Sequence, residues 1–374
     1  MEVGISKIKL FTPLGNDLDM LYQHYAAGKP LFTFSEKLKD WVLPIQITNE
    51  ELIAKLFEQT GVKLDYVDRL ALLALACSLS GDDYHENIEL IVFGSSRGAT
   101  ELTERSITSN IVGNKLPVYT SPGTTLGNTA SILAQHVLKK GMILEHSMTC
   151  STGLQSILNG IAWIRAGLSK YVLAGAGEAP LTSYTIAQMK ALKIYAPSQA
   201  TSNQLQMPFD KHSKGIVLSE GSILLEMSSY NPGMFKISGW GFETELQKNP
   251  VAANEQNPAL INAMRKATKM AGVRPDVVIA HATGTIKGDQ TELNAIHEVF
   301  DLEVKITATK WLTGHSFGLA VMHSIALAIL MLQKQEFIGL PYQHTPHIIP
   351  TQLNHIMINT LGFGGQVISI IVSK

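Results

Sequence analysis

The chain has 374 residues, of which 45% are hydrophobic and 16% charged, and its formal net charge is −1. This length suggests two domains or one duplicated domain, and the composition argues against disorder. The near-neutral charge provides no general attraction to nucleic acid or to anionic lipid, so we expect neither a nucleic-acid partner nor a membrane.

The N-terminal segment MEVGISKIKLFTPLGND lacks the basic region and apolar core that are typical of a secretory signal. The most apolar runs, at residues 70–77 and 324–332, are too short to span a bilayer. The two cysteines, Cys77 and Cys150, have no CxxC spacing, which favours neither a disulfide framework nor a zinc–thiolate site. We therefore expect a soluble, cytoplasmic protein without a metal site.

Strand-like apolar runs alternate with helical ones along the first half of the sequence. This alternation is typical of a layered α/β fold with a buried sheet. In chain order the predicted elements are a strand at 88–94, a helix near 126–139, a strand at 142–148, a helix at about 151–166 and a strand at 170–179.

A repeat relates the two halves of the chain. The segment CSTGLQSILNGIAWI from Cys150 aligns with HSFGLAVMHSIALAI from His315, because both have Ser-x-Gly-Leu ahead of a long apolar helix. The repeat predicts a duplicated fold with pseudo-twofold symmetry, in which Cys150 and His315 lie face to face at equivalent helix starts. An Asn-Pro-Gly turn signal at 231–233 predicts the boundary between halves 1–234 and 235–374.

Cys150 lies at the junction between the predicted strand at 142–148 and the helix that follows it. The thiolate is the nucleophilic form of cysteine, and the free N–H groups of a helix N-terminus stabilise it. Most cysteines are inert buried residues, and Cys77, inside the apolar run LALLALAC, fits that alternative. The junction position of Cys150 favours a nucleophile.

Two of the 12 histidines stand where catalytic groups are common. His281 follows the apolar run VVIA, at a strand end, and His315 follows Gly314 at the start of an apolar helix. Either one alone is more often structural, but together with Cys150 they indicate a shared site. The glycine stretch at 362–365 permits close backbone approach to an oxyanion, although a Gly-rich hairpin also explains it.

With these residues assembled, the chain resembles the elongating, two-histidine β-ketoacyl-acyl carrier protein synthases of the thiolase superfamily over nearly its whole length. The resemblance implies a thiolase-like duplicated α/β fold in α-β-α-β-α layers, with the nucleophile in the first half and both histidines in the second. Ala282, where the family usually has Gly, and the short chain mark a divergent member. Five segments carry the resemblance in the family's order: FTPLGND (11–17), MPFDKHSKGIVLSEG (207–221), AHATGTIKGDQTE (280–292), TKWLTGHSFGLA (309–320) and NTLGFGG (359–365).

The resemblance implies a decarboxylative condensation in fatty acid, polyketide or aryl polyene-type biosynthesis. Cys150 would accept the acyl chain as a thioester, while His281 and His315 would promote decarboxylation of a malonyl thioester. Loss of CO₂ itself creates the carbanion, so the two imidazoles need only stabilise the enolate, and capture on Cys150 divides the condensation into two steps.

The resemblance also implies roles for the residues around these three. Lys310 would be the supporting lysine, with Asp289 and Glu292 as supporting carboxylates. Phe363 would gate the pocket, and its N–H would form the oxyanion hole together with that of Cys150. The remaining substrate-binding residues would be Thr283 and Thr285, which hydrogen-bond the pantetheine arm, and Gly364.

The implied substrates are carried on the phosphopantetheine of an acyl carrier protein, with no separate cofactor. The implied assembly is a homodimer, or a heterodimer with a homologous ketosynthase-like subunit. The main alternative is a non-catalytic, chain-length-factor-like partner subunit, but such partners lose the nucleophile that Cys150 retains here. A Cys–His hydrolase would need an orienting Asn or Asp and leaves the second histidine unexplained. A thiolase would carry a second catalytic cysteine, and a chain-initiating relative would have Asn in place of one histidine.

Overall fold

The structure, a computed structural model, describes residues 2–61, 63–64, 66–137, 141–246, 256–343 and 345–374. Its first half follows the predicted alternation of strands and helices. The helix predicted near 126–139 is α6, which ends at Val137, and residues 138–140 lie outside the described part. The elements are β1 (Val3–Phe11), α1 (Leu18–Ala27), β2 (Thr33–Ser35), β3 (Asp40–Leu43), α2 (Asn49–Thr60), α3 (Arg69–Ser78), β4 (Leu90–Gly94), α4 (Thr100–Ile111), α5 (Thr120–Thr124), α6 (Asn128–Val137), β5 (Met142–His146), α7 (Thr152–Arg165), β6 (Tyr171–Glu178), α8 (Ser183–Ala191), β7 (Leu218–Ser219) and β8 (Gly221–Ser229).

The second half begins with a long strand and ends with a strand hairpin. Short 3₁₀ turns, Thr149–Ser151 and Phe317–Leu319, precede α7 in the first half and α12 in the second. The elements are β9 (Phe235–Thr244), α9 (Pro258–Ala271), β10 (Val277–Ile279), α10 (Ile286–Phe300), β11 (Lys305–Thr307), α11 (Lys310–Thr313), α12 (Ala320–Lys334), β12 (Glu336–Ile338), β13 (Ile348–Pro350), β14 (His355–Leu361) and β15 (Gln366–Ser373).

Ten strands form one continuous sheet in the order β11-β10-β14-β15-β9-β1-β8-β6-β4-β5. When the five strands of each half are numbered 1 to 5 in chain order, both halves have the order 3-2-4-5-1 from the outer edge of the sheet to its centre. The directions repeat as well, because β4 is parallel to β5 and β6, as β10 is to β11 and β14, and the other pairs in each half are antiparallel. The repetition confirms the predicted duplication. The division at residue 234 stays a proposal, which the start of β9 at Phe235 supports.

The halves stack into five layers because each half of the sheet buries both of its faces. On β4, Leu90 and Val92 pack in the cluster that contains α7, whereas Ile91 and Phe93 pack in the cluster that contains α3. On β14, Asn359 donates a hydrogen bond to Met264 of α9. The next residue, Thr360, points to the opposite face of the sheet and donates to the carbonyl of Cys150. Helices α7 and α12 contact each other and form the central layer, which confirms the predicted α-β-α-β-α arrangement.

The apolar run at 324–332 is part of a longer helical stretch than the sequence predicts. Together with the 3₁₀ turn before it, α12 gives an 18-residue stretch, Phe317–Lys334, that is long and apolar enough to cross a membrane. However, 89% of that stretch is buried inside the fold. Since it lies between the two halves of the sheet, it is a core helix of a soluble protein.

Candidate active site

Cys150 lies where β5 gives way to α7, as the sequence predicts. The intervening 3₁₀ turn begins at Thr149, whose φ of 50° is left-handed. A non-glycine residue in that region costs roughly 1–3 kcal/mol and is held there by its surroundings. Here the side chain of Thr152 holds the turn, since it accepts a hydrogen bond from the Met148 N–H (2.8 Å) and donates one to the Thr149 carbonyl (2.7 Å).

The turn before α12 corrects the register of the repeat. Phe317, with a φ of 44°, begins the second 3₁₀ turn as Thr149 begins the first. The structural equivalents are therefore offset by three residues from the sequence alignment, and Cys150 corresponds to Gly318. His315 precedes the turn, so it faces Cys150 without being its symmetry equivalent.

The structure brings Cys150, His281 and His315 together. The Sγ atom of Cys150 lies 3.5 Å from Nε2 of His315, and one donor atom from each of the three residues lies within 4.8 Å of the others. The two imidazole rings meet edge-on, with centroids 5.9 Å apart and an interplanar angle of 82°. A thiol thus faces two imidazoles in one small space, which is an arrangement for nucleophilic attack and for stabilising an oxyanion. The expected absence of a metal stays a prediction.

His281 is held at the end of β10 by a buried carboxylate and a buried lysine. Glu292 of α10 accepts hydrogen bonds from the backbone N–H groups of His281 (2.8 Å) and Ala282 (2.7 Å). The ammonium of Lys310 donates to the His281 carbonyl. These contacts fix the backbone from which the imidazole projects, so that Glu292 and Lys310 act on the site through His281.

Asp289, one turn before Glu292, holds the loop that follows His281. Its carboxylate accepts hydrogen bonds from the N–H groups of Phe209 (3.0 Å) and Gly284 (3.1 Å). Within that loop the hydroxyl oxygens of Thr283 and Thr285 lie 3.0 Å apart, each able to donate to the other. The loop that contains both hydroxyls is therefore rigidly connected to the segment at 207–221; their contact with a substrate arm stays a prediction.

His315 is positioned by that same segment. Its backbone N–H donates to the carbonyl of Val217 at 2.7 Å. Gly314 before it has a φ of 66°, and a Cβ there would approach the Val217 carbonyl and the Ser219 side chain to about 3 Å. Only glycine allows the chain to pass so closely and then present the imidazole to Cys150.

Burial keeps the thiol and both imidazoles neutral. It raises the pKa of the Cys150 thiol to about 12, although the positive charges of Lys310 and Arg97 act in the opposite direction. Burial, assisted by Lys310, holds the pKa values of His281 and His315 well below the usual range. Burial thus opposes the thiolate stabilisation that we expect from the helix N-terminus.

Lys310 and Glu292 form a coupled pair beneath the site. Burial lowers the pKa of Lys310, and the negative charge of Glu292 acts against that effect. Burial likewise raises the pKa of Glu292, opposed chiefly by the N–H groups of Ala282 and His281. A charged Lys310 disfavours a second positive charge on either imidazole. Both imidazoles therefore stay neutral, as they must if they are to act as neutral hydrogen-bond donors.

The glycine turn between β14 and β15 lies against the nucleophile. The carbonyl of Phe363 accepts a hydrogen bond from the hydroxyl of Thr149 at 3.2 Å, and a Cβ on Gly362 would lie 2.4 Å from that hydroxyl oxygen. Gly364 has a φ of 85°, and the Phe363 side chain is 39% exposed. The turn is placed for the predicted gating and oxyanion roles, which stay predictions, as does substrate binding by Gly364.

Glu178, which the sequence analysis does not single out, connects both sides of the site. It is fully buried at the end of β6 and accepts hydrogen bonds from the N–H groups of Ser96 (2.6 Å) and Gly318 (3.1 Å). Burial raises its pKa to about 7. The signal in the sequence was an acidic residue that closes the small, apolar strand YVLAGAGE.

Comparisons with known proteins identify the family. The profile of the beta-ketoacyl synthase N-terminal domain matches residues 3–231, and that of the C-terminal domain matches residues 234–340. The chain is 24% identical to 3-oxoacyl-[acyl-carrier-protein] synthase 1 of Buchnera aphidicola subsp. Schizaphis graminum, over 100% of this chain and 99% of that protein.

Two solved structures superpose over the whole of this chain. The ishigamide ketosynthase/chain length factor has a TM-score of 0.85 at 19% identity and is covered to 99%. A type II PKS acyl-carrier protein in complex with its ketosynthase bound to the hexaketide has a TM-score of 0.82 at 17% identity and is also covered to 99%. At these identities the likeness shows the fold. Because the two profiles together span most of the sequence, the chain belongs to the beta-ketoacyl synthase family.

Proposed function

We propose that this protein is an acyltransferase of the 3-oxoacyl-acyl carrier protein synthase type, which condenses an acyl group on Cys150 with a malonyl thioester. The observation that carries the proposal is the convergence of Cys150, His281 and His315 within 4.8 Å. Family membership supports it, since both domain profiles match. The catalytic roles given below to individual residues are proposed from the positions of those residues in the structure.

In the first half-reaction the acyl group moves from the carrier thiol to Cys150. As Sγ attacks the thioester carbonyl, its proton passes to Nε2 of His315, which lies 3.5 Å away. The carbonyl oxygen becomes an oxyanion that the N–H groups of Cys150 and Phe363 would stabilise. The carrier sulfur leaves and takes up that proton, so the products are the acyl-enzyme and a free carrier thiol.

In the second half-reaction a malonyl thioester loses CO₂. The electron pair of the broken C–C bond stays on the thioester fragment and forms an enolate. Neutral His281 and His315 each donate a hydrogen bond to the thioester oxygen, where the negative charge develops. Because Nε2 of His315 is the proton acceptor in the first half-reaction, the ring must first exchange its proton from Nδ1 to Nε2 through solvent. The enolate carbon attacks the acyl carbonyl, and the Cys150 sulfur leaves and takes up one proton from solvent. The product is a β-ketoacyl thioester, longer by two carbons, and the enzyme is restored.

The proposed partner is an acyl carrier protein, whose phosphopantetheine would lie along the loop with Thr283 and Thr285. The chemistry needs no other cofactor. A second ketosynthase-like subunit, either identical or homologous, is also proposed. Its support is the exposed edge strand β5, where Met142 is 50% exposed, together with exposed apolar side chains in the segment from α4 to α6, which include Ile111, Val118 and Leu126. The proposed location of the protein is the cytoplasm.

A chain-length-factor-like subunit remains the alternative function, since a solved neighbour is described as a ketosynthase/chain length factor. The arrangement of Cys150 with both histidines disfavours it. The discriminating experiment is intact-protein mass spectrometry after incubation with a panel of acyl carrier protein thioesters. Acylation of Cys150, followed by a β-ketoacyl product when malonyl carrier protein is added, supports the synthase; the absence of both favours the partner subunit.

A further inference from the structure

An apolar cluster packs around Cys150, and an acyl group attached to the thiol must extend among these side chains. Cys150 is only 5% exposed, and the cluster includes Ile186 and Met189 of α8 and Phe317 beside His315. Such a lining is typical of a pocket for an alkyl chain. One charged residue at the edge of this cluster does not fit that pattern.

The charged residue is Arg97, in the loop that follows β4. Its guanidinium carbon lies 4.9 Å from the centroid of the Phe317 ring, which in turn lies 5.5 Å from the ring centroid of His315. Its Nη1 donates a hydrogen bond to Oε1 of Gln188 at 2.7 Å, and Gln188 precedes the cluster residue Met189 on α8. Arg97 and Gln188 thus form a polar rim on the pocket, one aromatic ring away from the catalytic histidine.

The charge of Arg97 has no acidic partner in the part of the chain that the structure describes. Glu178, which lies on the same side, directs its oxygens to Ser95, Ser96 and Gly318. A guanidinium carries five N–H donors, and Gln188 occupies one of them. The positive charge also acts on the Cys150 thiol and lowers its pKa against the larger effect of burial. Arg97 is therefore a partly buried cation with donors to spare, separated from His315 by the ring of Phe317.

We infer that Arg97, assisted by Gln188, is a specificity-determining residue that binds an oxygen atom of the acyl chain. This inference rests on the proposed acylation of Cys150 and names the class of acyl group: chains with a keto or carboxylate oxygen. An alkyl chain would remove water from the guanidinium and replace none of its hydrogen bonds, which is unfavourable. A keto or carboxylate oxygen would restore a charge-assisted bond, so that the oxygenated chain binds better.

The test compares acyl groups on pantetheine, which removes any effect of carrier-protein docking. The probes are octanoyl, 3-oxo-octanoyl and a chain of the same length that ends in a carboxylate. The initial rate of Cys150 acylation is measured by intact-protein mass spectrometry. We expect the unaltered protein to prefer at least one oxygenated probe over octanoyl by about tenfold or more, as one hydrogen bond to a charged group allows. The two oxygenated probes distinguish a keto from a carboxylate oxygen.

Arg97→Met should abolish this preference, and Arg97→Lys should retain part of it for the carboxylate probe because the charge remains. Arg165→Met is the matched control, since Arg165 also stacks on an aromatic ring, that of Trp240 at 4.5 Å, but at the far end of α7. It should keep the preference of the unaltered protein. The ratio between probes is the readout, so a general loss of folded protein lowers both rates and leaves the ratio unchanged.

Two outcomes separate the inference from the proposed function. Equal ratios in the unaltered protein and in Arg97→Met, with Cys150 acylated in both, overturn the role of Arg97 and leave the synthase standing. Absence of a Cys150 adduct with every probe, and with carrier-protein thioesters, overturns the proposed function itself.

Discussion

The Sγ atom of Cys150 lies 3.5 Å from Nε2 of His315, although the two residues are 165 positions apart in the chain. They come from opposite halves of a duplicated fold: Cys150 lies in, and His315 just before, a 3₁₀ turn that leads into a central helix. The proposed nucleophile and its proposed proton acceptor therefore meet only when both halves are folded and packed. The predictions below test what this arrangement does.

Acylation should occur on Cys150 alone. Cys77 is fully buried, and burial raises its pKa to about 12, as it does for Cys150, but its Sγ donates to the carbonyl of Lys9 rather than facing an imidazole. Peptide mapping after incubation with an acyl thioester measures the site. Cys77→Ser serves as the control and should keep the adduct, whereas an adduct mapped to Cys77 would contradict the assignment.

The two half-reactions should separate by mutation. His281→Ala and His315→Ala remove donors from the malonyl thioester oxygen, so each should lower the rate of CO₂ release by about a hundred- to a thousandfold. Cys150 should still be acylated in both variants, more slowly in His315→Ala because its proton acceptor is lost. Release of labelled CO₂ and mass spectrometry measure the two steps separately.

Cys150→Gln should show the reverse behaviour, with no acyl adduct but continued decarboxylation of the malonyl thioester. Enolate stabilisation needs the donors around the thioester oxygen, and acyl capture needs the thiol. If the double variant of His281 and His315 released CO₂ at the unaltered rate, the roles of both imidazoles would be refuted.

The alkylation rate of Cys150 should keep rising with pH. Since burial raises its thiol pKa to about 12, the thiolate fraction grows about tenfold for each pH unit between 7 and 9. Iodoacetamide labelling in a Cys77→Ser background, followed by mass spectrometry, measures this rate. A plateau at or below pH 8 would instead mean that the helix N-terminus and Lys310 overcome burial and stabilise the thiolate.

Glu178 should couple stability to pH. Its pKa is raised to about 7 in the folded protein, above the ordinary value of 4.5, so the folded state binds the proton more tightly than the unfolded state. This contribution to the free energy of unfolding is present below pH 4.5 and is lost as pH rises towards 7. Urea unfolding at pH 5, 6, 7 and 8 measures this contribution: between pH 5 and 8 the free energy of unfolding should fall less, or rise more, in Glu178→Gln than in the unaltered protein.

Glu178→Ala is the complementary variant. It leaves the N–H groups of Ser96 and Gly318 without their acceptor, each at a cost of about 1–3 kcal/mol. We expect a clear loss of stability at every pH, together with slower acylation, because Gly318 lies in the 3₁₀ turn that connects His315 to α12. Stability equal to that of the unaltered protein would mean that water replaces the carboxylate fully.

The exposed edge at β5 should be covered by a second subunit. Light scattering at micromolar concentration should give twice the mass of the chain, unless a homologous subunit is required. Val118→Asp, at a side chain that is 87% exposed, should weaken the assembly by introducing a charge. Leu302→Asp is the matched control, since Leu302 is 79% exposed between α10 and β11 and should leave the mass unchanged.

The sequence alone determines the elements around Cys150 and the positions of Cys150 and His281 relative to them. Alternating apolar runs predict β4, β5, β6 and α7, because hydrophobic periodicity is a local property. Cys150 at a strand–helix junction and His281 at a strand end are also local features, and the structure confirms both positions. The order of the five motifs was sufficient for the family.

The tertiary structure decided what depends on distance through space. The sequence repeat pairs Cys150 with His315. In the structure Gly318 is the equivalent of Cys150 instead, because the left-handed residues Thr149 and Phe317 begin the two corresponding 3₁₀ turns. Glu178 and Arg97 join the site only because the fold brings both against the 3₁₀ turn Phe317–Leu319, where Glu178 contacts Gly318 and Arg97 contacts Phe317, which no local pattern reports. The protonation of Cys150 was decided in the same way: a helix N-terminus is visible in the sequence, whereas the burial that raises the thiol pKa exists only once five layers have packed.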